Sequence, residues 1–282
     1  MKMKIQADNL VFKYGDLLAV DDVSFTVKPG EVLGFLGPNG AGKSTTIKML
    51  TGQIKPYSGH LQVLGSEPYR IKQHIGVCFE RTNLYEHMTA RENLNFFAKL
   101  FSIKKFRAEH LLTRVGLGDR MDDKVSKFSK GLKQRLMIAR ALVNSPSVLF
   151  LDEPTDGLDP LSSEAVRKII LEEKERGASI FLTTHNMFEA ETLSDNVVFI
   201  NDGKILLYDT PLNLKLQYGS KMMLVDVEKK NGETEQLEIP LDNPDTGLQL
   251  KEIFDSSNVL RIHSREASLN DIFIKVSGRG LE

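Results

Sequence analysis

The octapeptide Gly37-Pro38-Asn39-Gly40-Ala41-Gly42-Lys43-Ser44 constrains this chain more than any other stretch. Its spacing is G-x-x-x-x-G-K-[ST], and its flanks suit that pattern. Before it, Val32-Leu33-Gly34-Phe35-Leu36 reads as a buried strand. After it, Ser44 to Leu50 has helical composition and stops at Gly52. Glycines let a backbone curl so that successive N–H groups converge on phosphate oxygens. The helix that follows adds its positive end. Lys43 is placed to reach the β- and γ-phosphates of ATP, and the Ser44 hydroxyl to hold Mg²⁺. Thr45, next in the helix, is grouped with the loop as a nucleotide contact.

A second site is Val148-Leu149-Phe150-Leu151-Asp152-Glu153-Pro154. Four apolar residues form a buried strand, and two carboxylates emerge at its end. Ligands bind at the carboxyl ends of parallel strands. Asp152 is placed to meet Mg²⁺, and Glu153 to orient and deprotonate a water attacking the γ-phosphate.

The surrounding pattern is one of alternation. Val20, Val23, Phe25 and Val27 mark a strand before the turn Lys28-Pro29-Gly30-Glu31, and residues 54–80 read as short strands with turns. Residues 90–144 carry apolar residues at helical spacing and form a helical insertion. Strands at Ser147–Leu151, Ser179–Leu182 and Val197–Ile200 then alternate with helices over 161–176 and 186–194. Such alternation implies a largely parallel sheet covered on both faces. Beyond about residue 217, strands at Met222–Val227, Gln236–Ile239 and Val259–His263 and helices at Leu248–Phe254 and Ser268–Val276 suggest a small α+β appendix. A polar turn, Lys230-Asn231-Gly232-Glu233, joins its first two strands.

Charge excludes little but points away from nucleic acid: the net charge is −1. Cys78 is the lone cysteine, set in the apolar run Ile75-Gly76-Val77-Cys78-Phe79, so it reads as core and the compartment as reducing. No signal peptide is expected behind Met1-Lys2-Met3-Lys4, and no apolar run is long enough to span a membrane.

The order of these motifs over residues 1–217 resembles the nucleotide-binding domain of ATP-binding cassette (ABC) proteins. The resemblance extends to Phe128-Ser129-Lys130-Gly131-Leu132-Lys133-Gln134-Arg135, whose commonest family form is L-S-G-G-Q. Ser129 and Gly131 match it; Lys130 and Leu132 depart. The resemblance implies a head-to-tail dimer in which Ser129 and Gly131 meet the γ-phosphate held by the other subunit. Asp156-Gly157-Leu158-Asp159 matches the family's dimer-interface loop, and Thr183-Thr184-His185 its switch histidine, a γ-phosphate contact. Read alone, Ser129 is a helix cap, Asp159 a turn into a helix at Pro160, and His185 a structural histidine. Tyr14 matches the aromatic that stacks on adenine, with Phe12 as its rival. Glu80 stands where the family usually has a Gln that touches Mg²⁺ or water. Glu80 and Lys130 both occur in the family's exporter-type branch. The tail Ala267-Ser268-Leu269-Asn270-Asp271-Ile272-Phe273, followed by Gly278-Arg279-Gly280, is similar to the end of drug- and antibiotic-resistance members.

The expected fold class is therefore α/β: a P-loop NTPase with an ABC-type domain over 1–217 and a C-terminal α+β appendix over 218–282. That domain comprises a mixed β subdomain, a parallel-sheet core and the insertion. The resemblance implies an ATPase that works as a homodimer, or beside a related ATPase subunit, beneath separate transmembrane permease subunits. It implies a cytoplasmic location on the inner face of the membrane, held through those permeases. Exporter is the favoured direction; an importer or a non-transport ABC ATPase is the alternative. Phe96, Phe97, Leu100 and Phe101 either line a groove for a permease helix or pack inside the insertion.

Overall fold

The computed structural model describes residues 3–219, 222–229, 232–265 and 267–278. Met1 and Lys2, Lys230 and Asn231 of the expected turn, and Arg279–Glu282 of the tail motif lie outside the described residues.

The chain opens with β1 (Ile5–Tyr14) and β2 (Leu17–Val27), an antiparallel pair closed by a tight turn in which Gly15 has φ 58°. The turn sets Tyr14 opposite Leu17 at the hairpin tip. Next come β3 (Val32–Leu36), α1 (Lys43–Leu50) and β4 (Ser58–Val63). β4 joins β1 and β2 in a three-stranded antiparallel sheet of order β2-β1-β4. β5 (Ile75–Cys78) then starts the main sheet.

The helical span follows with α2 (Ala90–Leu100), α3 (Ala108–Arg114) and α4 (Lys130–Ala141). Thr89 and Glu92 form a reciprocal capping box that fixes the start of α2. The span is less continuous than its periodicity suggests. Between α3 and α4 the chain runs through single 3₁₀ turns at Gly118–Arg120 and Val125–Lys127. The alternating segment supplies β6 (Val148–Asp152), α5 (Pro160–Glu175), β7 (Ser179–Thr184), α6 (Met187–Leu193), β8 (Asn196–Asn201) and β9 (Lys204–Asp209).

The main sheet has the order β5-β6-β7-β3-β8-β9. Its first five strands are parallel, and β9 is an antiparallel edge. Sequence reading misses β9. The β8–β9 turn is Asp202-Gly203, both with positive φ (46° and 78°), as a two-residue hairpin requires. The inner strands are buried on both faces, so alternate residues feed two cores. Leu149, Leu151, Ile180 and Leu182 pack with the helices α2 to α5. Phe150, Phe181, Leu33 and Phe35 pack with α1 and the antiparallel sheet. Four phenylalanines, Phe25, Phe35, Phe150 and Phe181, stack with ring centroids 5.2–6.2 Å apart and tie the two sheets together. Cys78 is buried at the end of β5, and burial pushes its thiol up to about 12.

The chain divides into two compact units between Pro211 and Leu212. The expectation had set the boundary at 217/218, without recognising α7 (Pro211–Tyr218). Only Leu214 of that helix is buried, which leaves no apolar face to read. The second unit has an antiparallel sheet of β10 (Met222–Glu228), β11 (Thr234–Pro240) and β12 (Asn258–Arg265), in the order β11-β10-β12. Helix α8 (Thr246–Ser256) covers one face, with Leu250 and Ile253 over Val225, Val227 and Ile239. Helix α9 (Leu269–Ser277) starts at a capping box between Ser268 and Asp271 and buries Leu269, Ile272 and Phe273. Among the described residues no helix is long and apolar enough to cross a membrane.

Candidate active site

The loop between β3 and α1 curls through Gly40 (φ 83°) and Gly42 (φ 105°), left-handed conformations that favour glycine. A Cβ at Gly42 would also lie 2.5 Å from the carbonyl oxygen of Ala19. Lys43 begins α1 and is 6% exposed. Its ammonium lies back across the loop and donates to the carbonyls of Gly37 (2.6 Å) and Pro38 (3.2 Å). It also stands 3.3 Å from Glu153 Oε1.

A cavity of about 320 Å³ sits over this loop. Pro38, Asn39, Gly40, Gly42, Lys43, Ser44 and Thr45 supply one wall, and Glu80, Glu153 and His185 another. Gly37 and Ala41 are not on it. Gly37 is held against the Ile200 carbonyl, where a Cβ would lie 2.2 Å away, and Ala41 is buried. Tyr14 lines the far end, half exposed. Its rival Phe12 meets the Tyr14 ring edge-on at 4.9 Å and packs into the core instead. Leu17 and Ala19 line the same end, and sequence reading misses both. The available signal was the Gly15-Asp16 turn, which sets Leu17 opposite Tyr14.

Asp152 ends β6 and is 4% exposed. Burial raises its pKa, and hydrogen bonds from Thr183 Oγ1 (2.5 Å) and Ser44 Oγ (3.5 Å) oppose that rise. Glu153, one residue on, has φ 48°, a strained conformation for a residue with a long side chain. Its N–H donates to the Thr183 carbonyl at 3.0 Å. Its Oε2 accepts from the His185 N–H at 3.2 Å and faces His185 Nδ1 at 2.9 Å. Its Oε1 is buried with no hydrogen bond, although Lys43 stands at ion-pair distance. The sequence reading assigns no part to Thr183, which positions both carboxyl-bearing residues.

These residues fit a Mg²⁺ ion. A hydroxyl and a buried carboxylate meet, and an orphaned carboxylate oxygen lies beside them. Among the described residues no cluster of His, Cys, Asp and Glu could hold a metal alone. That suits an ion which takes few protein ligands and completes its shell from phosphate and water. Glu80 is exposed, lines the same cavity and makes no hydrogen bond to Ser44 or Asp152.

Ser129, Gly131 and Asp159 come together elsewhere. Ser129 caps α4, accepting from the Leu132 N–H at 3.3 Å. Asp159 caps α5 and accepts from Ser162 N–H (2.9 Å) and Oγ (2.6 Å), bonds that lower its pKa. Gly131 is where these two helix starts touch, since a Cβ there would lie 2.4 Å from Ser162 Oγ. None of the three lines the phosphate cavity. The local capping geometry is thus present at both Ser129 and Asp159. Ser162, which bonds Asp159 and abuts Gly131, has no part in the sequence reading.

A second cavity, of about 500 Å³, lies between the main sheet and the insertion. Phe79, Tyr85, Phe97 and Phe101 line it, while Phe97 and Phe101 also pack on the core. Phe96 instead packs on Tyr85 and Phe97, and Leu100 is exposed. Arg140 stands over the Phe97 ring, 5.0 Å from its centroid, and donates to Asn83 and Val77 carbonyls.

Residues 20–156 match the family model described as ABC transporter. Over 98% of its length the chain is 41% identical to a fluoroquinolones export ATP-binding protein of Mycobacterium tuberculosis, covering 94% of that protein. It is 38% identical to a bacitracin transport ATP-binding protein of Bacillus licheniformis, over 99% of each chain. A solved ATP-binding subunit of an ABC transporter superposes with a TM-score of 0.70 at 32% identity, covering 77% of this chain and 94% of that one. Similarity that runs the length of the chain, on a fold built around one phosphate pocket, makes this protein an ATP-binding, ATP-hydrolysing member of the ABC transporter family.

Proposed function

We propose that this chain is the motor subunit of an exporter, working as a dimer on the inner face of the membrane beneath separate permease subunits. The observation that carries the export assignment is full-length similarity, C-terminal unit included, to a protein named for fluoroquinolone export. The dimer is supported by the division of the site. The phosphate pocket holds Lys43, Glu153 and His185, and Ser129, Gly131 and Asp159 stand outside it at the starts of two helices. Helix starts bind anions, so a second copy turned head to tail supplies that surface to the open pocket.

In this reading Tyr14 stacks on adenine, and the loop N–H groups and Lys43 hold the phosphates. Thr45 adds a contact beside them. Ser44 and Asp152, with Glu80 also on the cavity lining, would hold Mg²⁺, which would supply positive charge to offset that of the phosphates. Lys43 leaves Glu153 for the phosphates, freeing the carboxylate. Glu153 then takes a proton from the attacking water as the γ-phosphorus–oxygen bond breaks and ADP leaves with its electrons. His185 holds Glu153 on one side and meets the γ-phosphate. The aromatic groove receives an apolar permease helix, which carries dimer closure to the membrane.

Replacing Glu153 with Gln tests the core of this reading. Steady turnover should fall by about 10³-fold, within the range for loss of a general base. The variant should accumulate as an ATP-bound dimer on size exclusion. Normal turnover in that variant would remove Glu153 from its role.

A further inference from the structure

We infer that Asp156 is a positioning residue for His185, and that Lys130 fixes Asp156 from within the same subunit. The inference rests on the hydrolysis reading above and concerns how its histidine is held.

Five side chains form one polar chain across the site. Lys43 stands 3.3 Å from Glu153, and Glu153 faces His185 Nδ1 at 2.9 Å. His185 Nε2 faces Asp156 Oδ1 at 3.8 Å, and Asp156 Oδ2 lies 3.5 Å from Lys130 Nζ. His185 Nδ1 is thus within hydrogen-bond distance of one carboxylate, and Nε2 faces a second at ion-pair range, beyond a direct hydrogen bond. Glu153 holds one edge of the ring, and the Asp156 carboxylate facing the other edge biases its plane while leaving Nε2 open to the γ-phosphate. Asp156 also lines the phosphate cavity, a part that its motif alone does not assign.

Lys130 needs an explanation that Asp156 provides. It is the first residue of α4, directly after the Ser129 cap, and the first turn of that helix has no acidic residue. A cation at the positive end of a helix is locally unfavourable. Asp156 offsets it. Gly157 lies against the end of the Lys130 side chain: a Cβ there would lie 2.2 Å from Nζ and push that flexible end aside. Its φ of 61° also favours glycine. Lys130, Asp156 and His185 thus stand in one series, and Lys130 links the Phe128–Arg135 segment to the switch histidine inside one chain.

The pair is exposed, at 63% and 43%, so it should affect geometry rather than stability. The test is a double-mutant cycle on steady-state ATPase of the full chain, with Lys130→Ala, Asp156→Ala and both together. Asp156→Ala should lower kcat about tenfold, with KM for ATP within about twofold. Lys130→Ala should lower kcat about threefold, and the double variant no further than Asp156→Ala alone. Asp156→Glu should restore most of the rate; Asp156→Asn should behave as the alanine variant. Melting temperatures should match the wild type throughout. Effects that multiply would overturn the inference, because Lys130 would then act independently of Asp156, for instance on nucleotide across the dimer. An unchanged kcat in Asp156→Ala would overturn it too. A wild type no more active than Lys43→Ala would overturn the hydrolysis reading itself, and this inference with it.

Discussion

Lys43, Asp152 and Glu153 have side chains at most 9% exposed, packed around a strained backbone, with an orphaned carboxylate oxygen among them. Ser129 and Asp159 are exposed helix caps whose side-chain bonds are all local. The first region concentrates unmet polar demand; the second is satisfied and only presents helix ends. Substrate should therefore be captured by the first, and the second should decide whether captured substrate turns over. Substitutions in the two regions ought to fail differently.

Lys43→Ala should produce the largest loss, with turnover and ATP binding down together by about 10²–10³-fold. Binding by fluorescent nucleotide and hydrolysis by phosphate release would check it. Gly131→Ala should break the comparison the other way. Its Cβ would crowd Ser162, so turnover should fall about a hundredfold while single-chain ATP affinity stays within about twofold. Adding Ser162→Ala should recover part of the rate. Tyr14→Ala should raise KM about tenfold, the effect of losing one base-stacking platform. Phe12→Ala should lower the melting temperature and spare KM.

Asp152→Asn sharpens the contrast through stability. Burial raises the Asp152 pKa, so its contribution favours the folded state at low pH and is lost as pH rises through the folded value. Above that folded value the ionised group destabilises the nucleotide-free protein. Neutral Asn should raise its melting point by ~3 °C, for about 1 kcal/mol, while hydrolysis is lost. Heating curves at pH 5 and pH 8 should show the gain shrinking toward acid. The smallest effect is expected at Glu80→Gln. Glu80 is exposed and makes no bond to Asp152, so ATPase should stay within about twofold of wild type.

The phosphate loop and the Asp-Glu strand were legible because their chemistry is local. Gly40, Gly42 and Lys43 belong to one short motif whose positive-φ glycines are set by the loop itself, and Val148–Asp152 announces itself by its apolar run. Elements set by long-range pairing were harder. β9 is half exposed and lacks clean alternation, so only Asp202-Gly203 betrays it. α7 buries one leucine and gives no period. Thr183 acts on a residue 31 positions away, which no spacing rule predicts; Ser162, at the third helical position after the Asp159 cap, follows the ordinary cap spacing and was legible. Asp156 and Lys130, 26 positions apart, meet only because α4 and α5 start side by side.

The single thiol of Cys78 has a practical side. With its proton held to about pH 12 and its sulfur buried at the end of β5, it should not react with maleimides or oxidants in the native protein. The wild-type chain is already a blank background for labelling. Asn39 and Ser129 are both exposed, one on the phosphate loop and the other at the signature segment. Cysteines placed there need no prior removal of Cys78. A disulfide forming between subunits only with ATP would record the head-to-tail closure as a band on a gel.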